Sequence, residues 1–279
     1  MKIVRTVAET RAARAGLGRL GFVPTMGALH DGHMGLMASA RDGCDAVAAS
    51  IFVNPAQFGP NEDLTRYPRP IEADLAKLEA GGVELVFLPS VEIVYPAGFD
   101  TRIEVGAIAN RLEGAIRPGH FSGVATVVAK LFNIVAPDVA WFGQKDVQQT
   151  RVIKQLVRDL DLPVNIRVGP TLREADGLAL SSRNVYLSAE DRAQATALYR
   201  GLSGAEAAWA GGEAGAATLR SGIATHIAET TGIVDYISIA DPDTLVELDE
   251  VTDAGAVVSL AVRYGTTRLI DNVVLPARA

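Results

Sequence analysis

Along the first 170 residues, short apolar runs alternate with longer stretches whose apolar residues recur at helical spacing. The apolar runs have the length of buried strands and end at Gly, Pro or polar residues that favour turns. Strands alternating with helices predict a parallel sheet with helices on both faces, and such sheets bind ligands at the carboxyl ends of their strands. The predicted strands are residues 20–23, 46–53, 83–88, 139–142 and 164–168, and the predicted helices are 7–15, one from about 32, 71–80, 123–135 and 146–160.

The pattern changes after about residue 170. Ala-rich helical stretches at 188–209 and 213–230 precede strand-like runs at 234–240, 256–263 and 267–274. Helices followed by strands in this way predict a separate α+β unit. The predicted fold class is therefore α/β: a Rossmann-like doubly wound parallel sheet in a domain of residues 1–170, and a smaller C-terminal α+β domain of residues 171–279.

Composition and charge narrow the possible function classes. The chain has 279 residues and a formal net charge of −7, with a pI of about 5.2. It lacks the basic excess that general nucleic-acid binding needs, so no nucleic-acid partner is expected. No apolar run approaches the ~18 residues of a membrane span, and no apolar signal region follows the basic residues near Met1. The short apolar runs predict no membrane association. The single cysteine, Cys44, rules out an intrachain disulfide and predicts a reducing, cytoplasmic location.

Two histidines lie three positions apart where a predicted strand runs into a predicted helix. His30 and His33 are separated by Asp31 and Gly32. A helix N-terminus offers unpaired backbone N–H groups and the positive end of the helix dipole, and two imidazoles add further donors, so this turn is suited to phosphate. A metal site is disfavoured because no third ligand with a recognisable spacing stands nearby, and we predict no protein metal centre.

Polar residues also follow two other predicted strands. Asn54 and Gln57 come after the strand at 46–53. Their amides suit a hydroxyl or a carboxylate, although Asn54 next to proline is also typical of a plain turn. Lys145 follows the strand at 139–142, where it could neutralise charge on a phosphate or simply be a solvated surface lysine.

The helix that follows Lys145 begins with two further candidates. Asp146 could cap this helix, or contact a nucleotide ribose or a metal. Gln149 lies three positions further along, roughly on the same helical face.

Two loops complete the set of candidates. Ser181, Ser182 and Arg183 could close over a polyphosphate, and the alternative is a surface loop that caps the next helix. Residues 117–123 precede an apolar helix. We expect Ser122 or Gly123 to cap this helix, while Arg117 or His120 could face an anion.

Together these segments resemble the nucleotidylyltransferase superfamily and, within it, closely resemble the signature blocks of the pantoate–β-alanine ligase family. Their order and spacing agree over nearly the whole chain, including residues 268–272 near the C-terminus. Two departures are minor: Gln144 stands where the family often has Glu, and Leu180 where it often has Met. The matching blocks are residues 24–33, 50–58, 117–121, 142–149 and 176–184.

The resemblance implies a ligation in two steps. D-Pantoate attacks the α-phosphorus of ATP to give pantoyl adenylate and pyrophosphate, and the amine of β-alanine then displaces AMP to give pantothenate. Mg²⁺ is expected to arrive with ATP and to be held mostly by phosphate oxygens and water. A homodimer is a further implication of the family.

The resemblance also implies a role for each matching residue. His33 is the expected proton donor, with His30 beside it on the phosphates, and Lys145 is expected to stabilise charge at the reacting phosphate. Gln57 and Gln149 are expected to hold pantoate, and Gln57 is also a candidate contact for β-alanine. The residues expected to contact ATP are Met26, Gly27, Ala28, Leu29, His30, Asp31, Gly32, His33, Gly143, Gln144, Lys145, Asp146, Leu172, Leu180, Ser181, Ser182 and Arg183.

Three other interpretations compete with this one. Another small-molecule nucleotidylyltransferase shares the histidine turn but does not predict the paired glutamines Gln57 and Gln149. A non-catalytic nucleotide sensor does not require His30, His33 and Lys145 together with the 181–183 loop. A fragment of a tRNA synthetase is disfavoured by the acidic charge.

Overall fold

Within residues 1–60 and 62–278, the part of the chain described by this computed structural model, six strands form one parallel sheet in the order β1-β4-β3-β2-β5-β6. Helices connect successive strands, as the alternating pattern predicts. The strands are β1 (Lys2–Val4), β2 (Leu20–Thr25), β3 (Ala46–Ile51), β4 (Leu85–Phe87), β5 (Val139–Gly143) and β6 (Asn165–Gly169). The α-helices are α1 (Val7–Arg14), α2 (Asp31–Gly43), α3 (Ile71–Ala80), α4 (Val91–Val94), α5 (Leu112–Ile116), α6 (His120–Val135) and α7 (Val147–Asp159).

Successive residues of the central strand β2 enter two different cores. Phe22 packs into the core that contains Phe132 and Leu156. Val23 packs into the core that contains Met37 and Leu78. Side chains alternate between the faces of a strand, so the two cores lie on opposite faces of the sheet. This arrangement confirms the predicted doubly wound sheet.

Strand β2 also marks the point where the strand order reverses. It pairs with β3 on one side and with β5 on the other, with Phe22 opposite Ala48 and Ala140. Connections leave such a point in opposite directions, which opens a crevice outside the carboxyl ends of the two strands. The predicted histidine turn follows β2, so it lies at this reversal.

The C-terminal region folds around an antiparallel sheet. In the described part of residues 171–278, β7 (Ile233–Ala240), β8 (Ala256–Tyr264) and β9 (Thr267–Leu275) pair in the order β7-β8-β9. Leu202, Ile223 and Val258 belong to one core formed with the helices of this region. These helices are α8 (Ala189–Gln194), α9 (Ala197–Ala210) and α10 (Ala216–Ala228). Contacts divide the chain into two compact units, Met1–Gln144 with Gln148–Pro170, and Lys145–Val147 with Thr171–Ala279.

Two predicted helix boundaries are wrong. The single helix predicted at 188–209 is divided into α8 and α9, because Leu198 N–H bonds to Ala195 O and the Thr196 hydroxyl bonds back to Ala193 O; these tight turns interrupt the regular ladder. Helix α6 begins at His120, so neither Ser122 nor Gly123 caps it. Gly119 precedes it with φ +81°, a conformation that glycine adopts at little cost.

No helix in the described ranges is long and apolar enough to cross a membrane.

Candidate active site

The turn after β2 is shaped by hydrogen bonds and by positive φ angles. Thr25 Oγ1 donates to Ser50 O (2.7 Å) and accepts from Gly27 N (3.1 Å). Gly27 and Ala28 have φ values of +83° and +52°, which turn the chain sharply towards α2. The strand end and the helix start are thereby joined by a compact turn of defined shape.

His30 and His33 face each other at the start of α2. Their ring centroids are 4.1 Å apart. His30 Nδ1 accepts from Gly32 N (3.2 Å), and His33 Nδ1 accepts from His30 N (3.3 Å). An imidazole nitrogen that accepts an N–H carries no proton, so a single proton on either ring resides on Nε2. The donor atom of each ring is therefore Nε2, and such a donor suits phosphate oxygens.

Gly32 is required by the His30 ring. A Cβ at position 32 would lie 2.8 Å from His30 Cε1 and 2.9 Å from Nδ1. A side chain here would push the imidazole away from the backbone N–H that it accepts. The structure thus gives an intramolecular reason for glycine at this position.

Asp74 contacts the same turn and is not among the residues predicted from the sequence. Its two carboxylate oxygens accept from Ala28 N and Leu29 N, both at 2.8 Å, and its side chain is fully buried. The signal in the sequence is an acid on the apolar face of α3, one turn before the core residue Leu78. Such a residue is rarely buried without partners.

The side chain of Gln57 is oriented by Asn54. Asn54 Nδ2 donates to Gln57 Oε1 (2.9 Å), and Asn54 Oδ1 accepts from Tyr95 Oη (2.7 Å). Gln57 Nε2 points to the sulfur of Met26 (3.4 Å). The structure thus brings Gln57 and Met26, two predicted site residues, into contact. Because Oε1 is occupied by Asn54, Gln57 presents its amide N–H groups as donors.

The backbone of Gln57 is held by a charged network. His120 Nδ1 donates to Gln57 O (2.8 Å), while Arg117 Nη1 contacts His120 Nε2 (3.1 Å). Burial and the neighbouring Arg117 lower the pKa of His120 to about 4, so the ring is neutral at neutral pH. Burial disfavours ionisation of Glu62, but its two 2.7 Å bonds to Arg117 outweigh this and hold the pKa of its carboxyl below the usual value. Arg117 and His120 therefore hold Gln57 in place.

The segment after β5 contains the next group of predicted residues. Gly143 ends β5, Gln144 begins a 3-10 helix (Gln144–Asp146), and Gln149 lies half-buried in the first turn of α7. Its neighbour Gln148 is buried and bonds to the backbone of Glu113, Ile108 and Arg111. Of these two adjacent glutamines, Gln149 is the one with the more accessible side chain.

Lys145 and the 180–184 loop belong to the C-terminal unit. Asn272 Nδ2 donates to the backbone oxygen of Lys145 (2.8 Å), which fixes the main chain from which this half-buried lysine projects. Leu180 N donates to Leu172 O (2.9 Å), so these two predicted residues lie side by side.

The 180–184 loop has its own supports. Ser181 Oγ accepts from Arg183 N (3.2 Å), and Asn184 Nδ2 donates to Glu174 Oε1 (3.1 Å). Arg192 in turn binds Glu174 and Asp176 at 2.7 and 2.8 Å. The loop is thus connected, through the hydrogen bond between Asn184 and Glu174, to the ion pairs formed by Arg192.

Within the ranges 1–60 and 62–278, no group of three or more His, Cys, Asp or Glu side chains is placed to hold a metal ion.

Comparisons with known proteins agree with the motifs. Residues 2–274 match the family described as pantoate-beta-alanine ligase. A pantothenate synthetase of Chloroflexus aurantiacus is 59% identical over 276 residues, covering 99% of this chain and 98% of the relative. The crystal structure of pantothenate synthetase from Thermus thermophilus has a TM-score of 0.95 and 48% identity, over 99% of this chain and 100% of that one.

A structure from Francisella tularensis extends the comparison. This pantoate-beta-alanine ligase, complexed with beta-gamma ATP and beta-alanine, has a TM-score of 0.81 and 38% identity, over 98% of this chain and 97% of that one. The predicted resemblance is confirmed over essentially the full length. The chain belongs to the pantoate–β-alanine ligase family of enzymes.

Proposed function

We propose that this enzyme condenses D-pantoate with β-alanine through a pantoyl adenylate. A carboxylate oxygen of pantoate bonds to the α-phosphorus of ATP while the bond to the β-phosphate oxygen breaks and pyrophosphate leaves. The β-alanine nitrogen then bonds to the acyl carbon, the bond to the AMP oxygen breaks, and the amine loses a proton. The products are pantothenate, AMP and pyrophosphate.

The observation that carries this proposal is the pair of imidazoles at the start of α2. Both have Nδ1 occupied by a backbone N–H, so both offer Nε2–H at a helix N-terminus, where negative charge is favoured. The first step makes little covalent demand on the protein; it requires alignment and dispersal of negative charge. The Francisella relative, whose structure contains an ATP analogue and β-alanine, supports these substrates.

We assign phosphate and nucleotide contacts on this basis. His33 protonates the leaving pyrophosphate, His30 binds phosphate beside it, and Lys145 stabilises charge at the reacting phosphate. The other proposed ATP contacts are Met26, Gly27, Ala28, Leu29, Asp31, Gly32, Gly143, Gln144, Asp146, Leu172, Leu180, Ser181, Ser182 and Arg183.

Pantoate recognition is assigned to the two glutamines. Gln57 presents N–H donors because its oxygen accepts from Asn54, and such donors match a carboxylate or hydroxyl oxygen. Gln149 supplies a second amide, and Gln57 also contacts β-alanine.

Mg²⁺ is proposed as the companion of ATP. We propose that phosphate oxygens and water hold most of the coordination sphere of this ion, which suits its preference for retained water. When bound, the ion neutralises phosphate charge; the protein residues orient the triphosphate.

A homodimer and a cytoplasmic location stay predictions. For the dimer, light scattering on the purified protein should give about twice the 29.4 kDa of one chain.

The test is an assay with ATP, Mg²⁺ and D-pantoate, with and without β-alanine, that measures pyrophosphate, AMP and pantothenate separately. Pyrophosphate should require pantoate, and AMP release with pantothenate should require β-alanine. A product that retains the nucleotide after β-alanine is added would indicate another nucleotidylyltransferase. ATP binding without pantoate-dependent pyrophosphate would indicate a sensor.

A further inference from the structure

We propose that Asp74 is a positioning residue for adenylation, which sets the orientation of His30 and His33 through the backbone of the turn before them. The catalytic part of this inference rests on the proposed function. The geometric part rests only on contacts within the N-terminal unit.

The Asp74 carboxylate forms hydrogen bonds with the backbone of the turn through both of its oxygens. Each oxygen accepts one backbone N–H, from Ala28 and Leu29 at 2.8 Å, and the side chain is fully buried. A buried carboxylate is tolerated only when hydrogen bonds replace its hydration, and here two adjacent peptide N–H groups do so. The helix α3 is thereby joined to two successive peptide units of the turn.

The turn requires such a support because its backbone is strained. Ala28 has φ +52°, in the left-handed region that a Cβ disfavours. The preceding Gly27 has no room for a side chain, because its Cβ would lie 3.0 Å from Asp74 Oδ2 and 3.1 Å from Ile51 Cγ2. The carboxylate therefore packs against the turn and also stabilises the unfavourable conformation of Ala28.

The geometry of the histidines depends on the next peptide. Leu29 O and His30 N belong to one planar peptide unit. Lys77 Nζ, one turn after Asp74 on α3, donates to Leu29 O, while His30 N donates to His33 Nδ1. If this unit rotates, His30 N–H moves away from the ring that it orients. Asp74 and Lys77 thus act from one helix on the peptides that precede and include the His30 N–H.

The first test is Asp74→Asn, which keeps the size of the side chain but places an NH₂ group against a backbone N–H. Its matched control is Asp138→Asn, since Asp138 Oδ2 accepts from Leu20 N (2.7 Å) at the opposite end of the same strand β2. We expect Asp74→Asn to lower kcat for pantoate-dependent pyrophosphate release by about 10²-fold, the effect of a small misplacement of reacting groups. The control should stay within about threefold of wild type, because it leaves the histidine end of β2 unchanged.

A second measurement reports the histidines directly. The chain has 4 histidines, so the tautomer of each ring can be followed by ¹⁵N–¹H NMR. Asp74→Asn should change the His30 and His33 signals and leave those of His226 unchanged. This readout does not need turnover: if wild type fails to use pantoate, the proposed function fails, while the effect of Asp74 on the rings is still measured.

Rescue separates strain from general damage. Ala28→Gly removes the penalty on the left-handed conformation, so adding it to Asp74→Asn should restore kcat by about fivefold. Lys77→Met replaces an exposed side chain and keeps the protein testable if Asp74→Asn does not fold; it should lower kcat while the KM for pantoate stays within about twofold.

Two results would overturn the proposal. One is unchanged His30 and His33 signals in a folded Asp74→Asn protein, or in Lys77→Met if the former does not fold. The other is an equal loss of kcat in Asp74→Asn and Asp138→Asn.

Discussion

The Tyr95 hydroxyl donates to Asn54 Oδ1 across 2.7 Å, although 41 residues separate the two in the chain. Burial raises the pKa of Tyr95 to about 12, so the hydroxyl keeps its proton throughout the neutral range. Ala56 N also donates to Asn54 Oδ1 (3.2 Å), which leaves Asn54 Nδ2 to face Gln57. The orientation of Gln57 is thus set through Asn54 by a tyrosine outside the motif that contains both amides.

Tyr95→Phe should therefore weaken the use of pantoate. One hydrogen bond of this kind contributes ~1 kcal/mol, so kcat/KM for pantoate should fall about fivefold while the KM for ATP is unchanged. Steady-state kinetics with each substrate varied in turn checks this. Tyr264→Phe, which removes a buried hydroxyl in the C-terminal unit, serves as the control. Equal effects on both substrates would argue against this role.

Replacing the proposed charge-stabilising groups should slow adenylation. His33→Ala and Lys145→Ala should each lower pantoate-dependent pyrophosphate release by ~10²–10³-fold, the usual cost of a lost preorganised donor. His226→Ala and Lys154→Ala, on helices α10 and α7, are matched controls. Circular dichroism should show all four variants folded. Near-normal turnover of the first pair would refute both assignments.

Stability at mildly acidic pH should depend on His120. Its folded pKa is about 4, below the ordinary value of 6.5, because burial and Arg117 disfavour the charged ring despite Glu62 and Glu113. The unfolded chain binds the proton more tightly, so this contribution is complete above pH 6.5 and is lost as the pH falls towards 4. The loss is on the order of 2–3 kcal/mol.

Urea unfolding at about pH 7 and about pH 4.5 measures this effect. His120→Gln should lose less stability than wild type between the two pH values, because its amide does not titrate. Parallel losses in the two proteins would contradict the lowered pKa.

Gly123→Ala should disrupt the Gln57 segment. A Cβ at Gly123 would lie 2.2 Å from Ala56 O and 2.7 Å from Gln57 N, and these backbone atoms move only at a cost of ~1–3 kcal/mol. We expect at least a tenfold fall in kcat/KM for pantoate and a lower unfolding free energy. Gly222→Ala is the control, since its Cβ has nothing within 4 Å. Similar kinetics in both variants would show that the 3-10 helix (Pro55–Gln57) adapts without loss.

The sequence predicts the buried strands well, because a strand that is buried on both faces consists almost entirely of apolar residues. Every residue of β3 is buried, and its continuous apolar run identifies it. Strand β1 is not predicted from the sequence, because it has only three residues and two of them are exposed, so no buried apolar run identifies it. The predicted start of α6 is wrong, because the residue that precedes the helix is Gly119 in the left-handed conformation and not a residue with a capping side chain.

The candidate site is predicted only as far as its residues lie in local motifs. His30, His33 and Gln57 occur in turns after apolar strands, a local pattern that chemistry can interpret. Asp74 and Tyr95 lie more than 40 residues along the chain from the residues that they bond to. No local sequence pattern therefore indicates which turn each of them contacts. Only the packing of α3 and of the segment after β4 makes those contacts visible.

The separation of Asp74 from its turn also has a consequence for synthesis. Ala28 and Leu29 precede Asp74 by 46 and 45 residues, so on the ribosome the turn is made long before the carboxylate that accepts its N–H groups. Closing a loop of this length costs chain entropy before the contact forms, so a contact between distant residues forms later than a local helix does. We therefore expect the turn to reach its final shape only after α3 has emerged and packed on the sheet, so that a nascent chain truncated before α3 should not hold the histidines in this geometry.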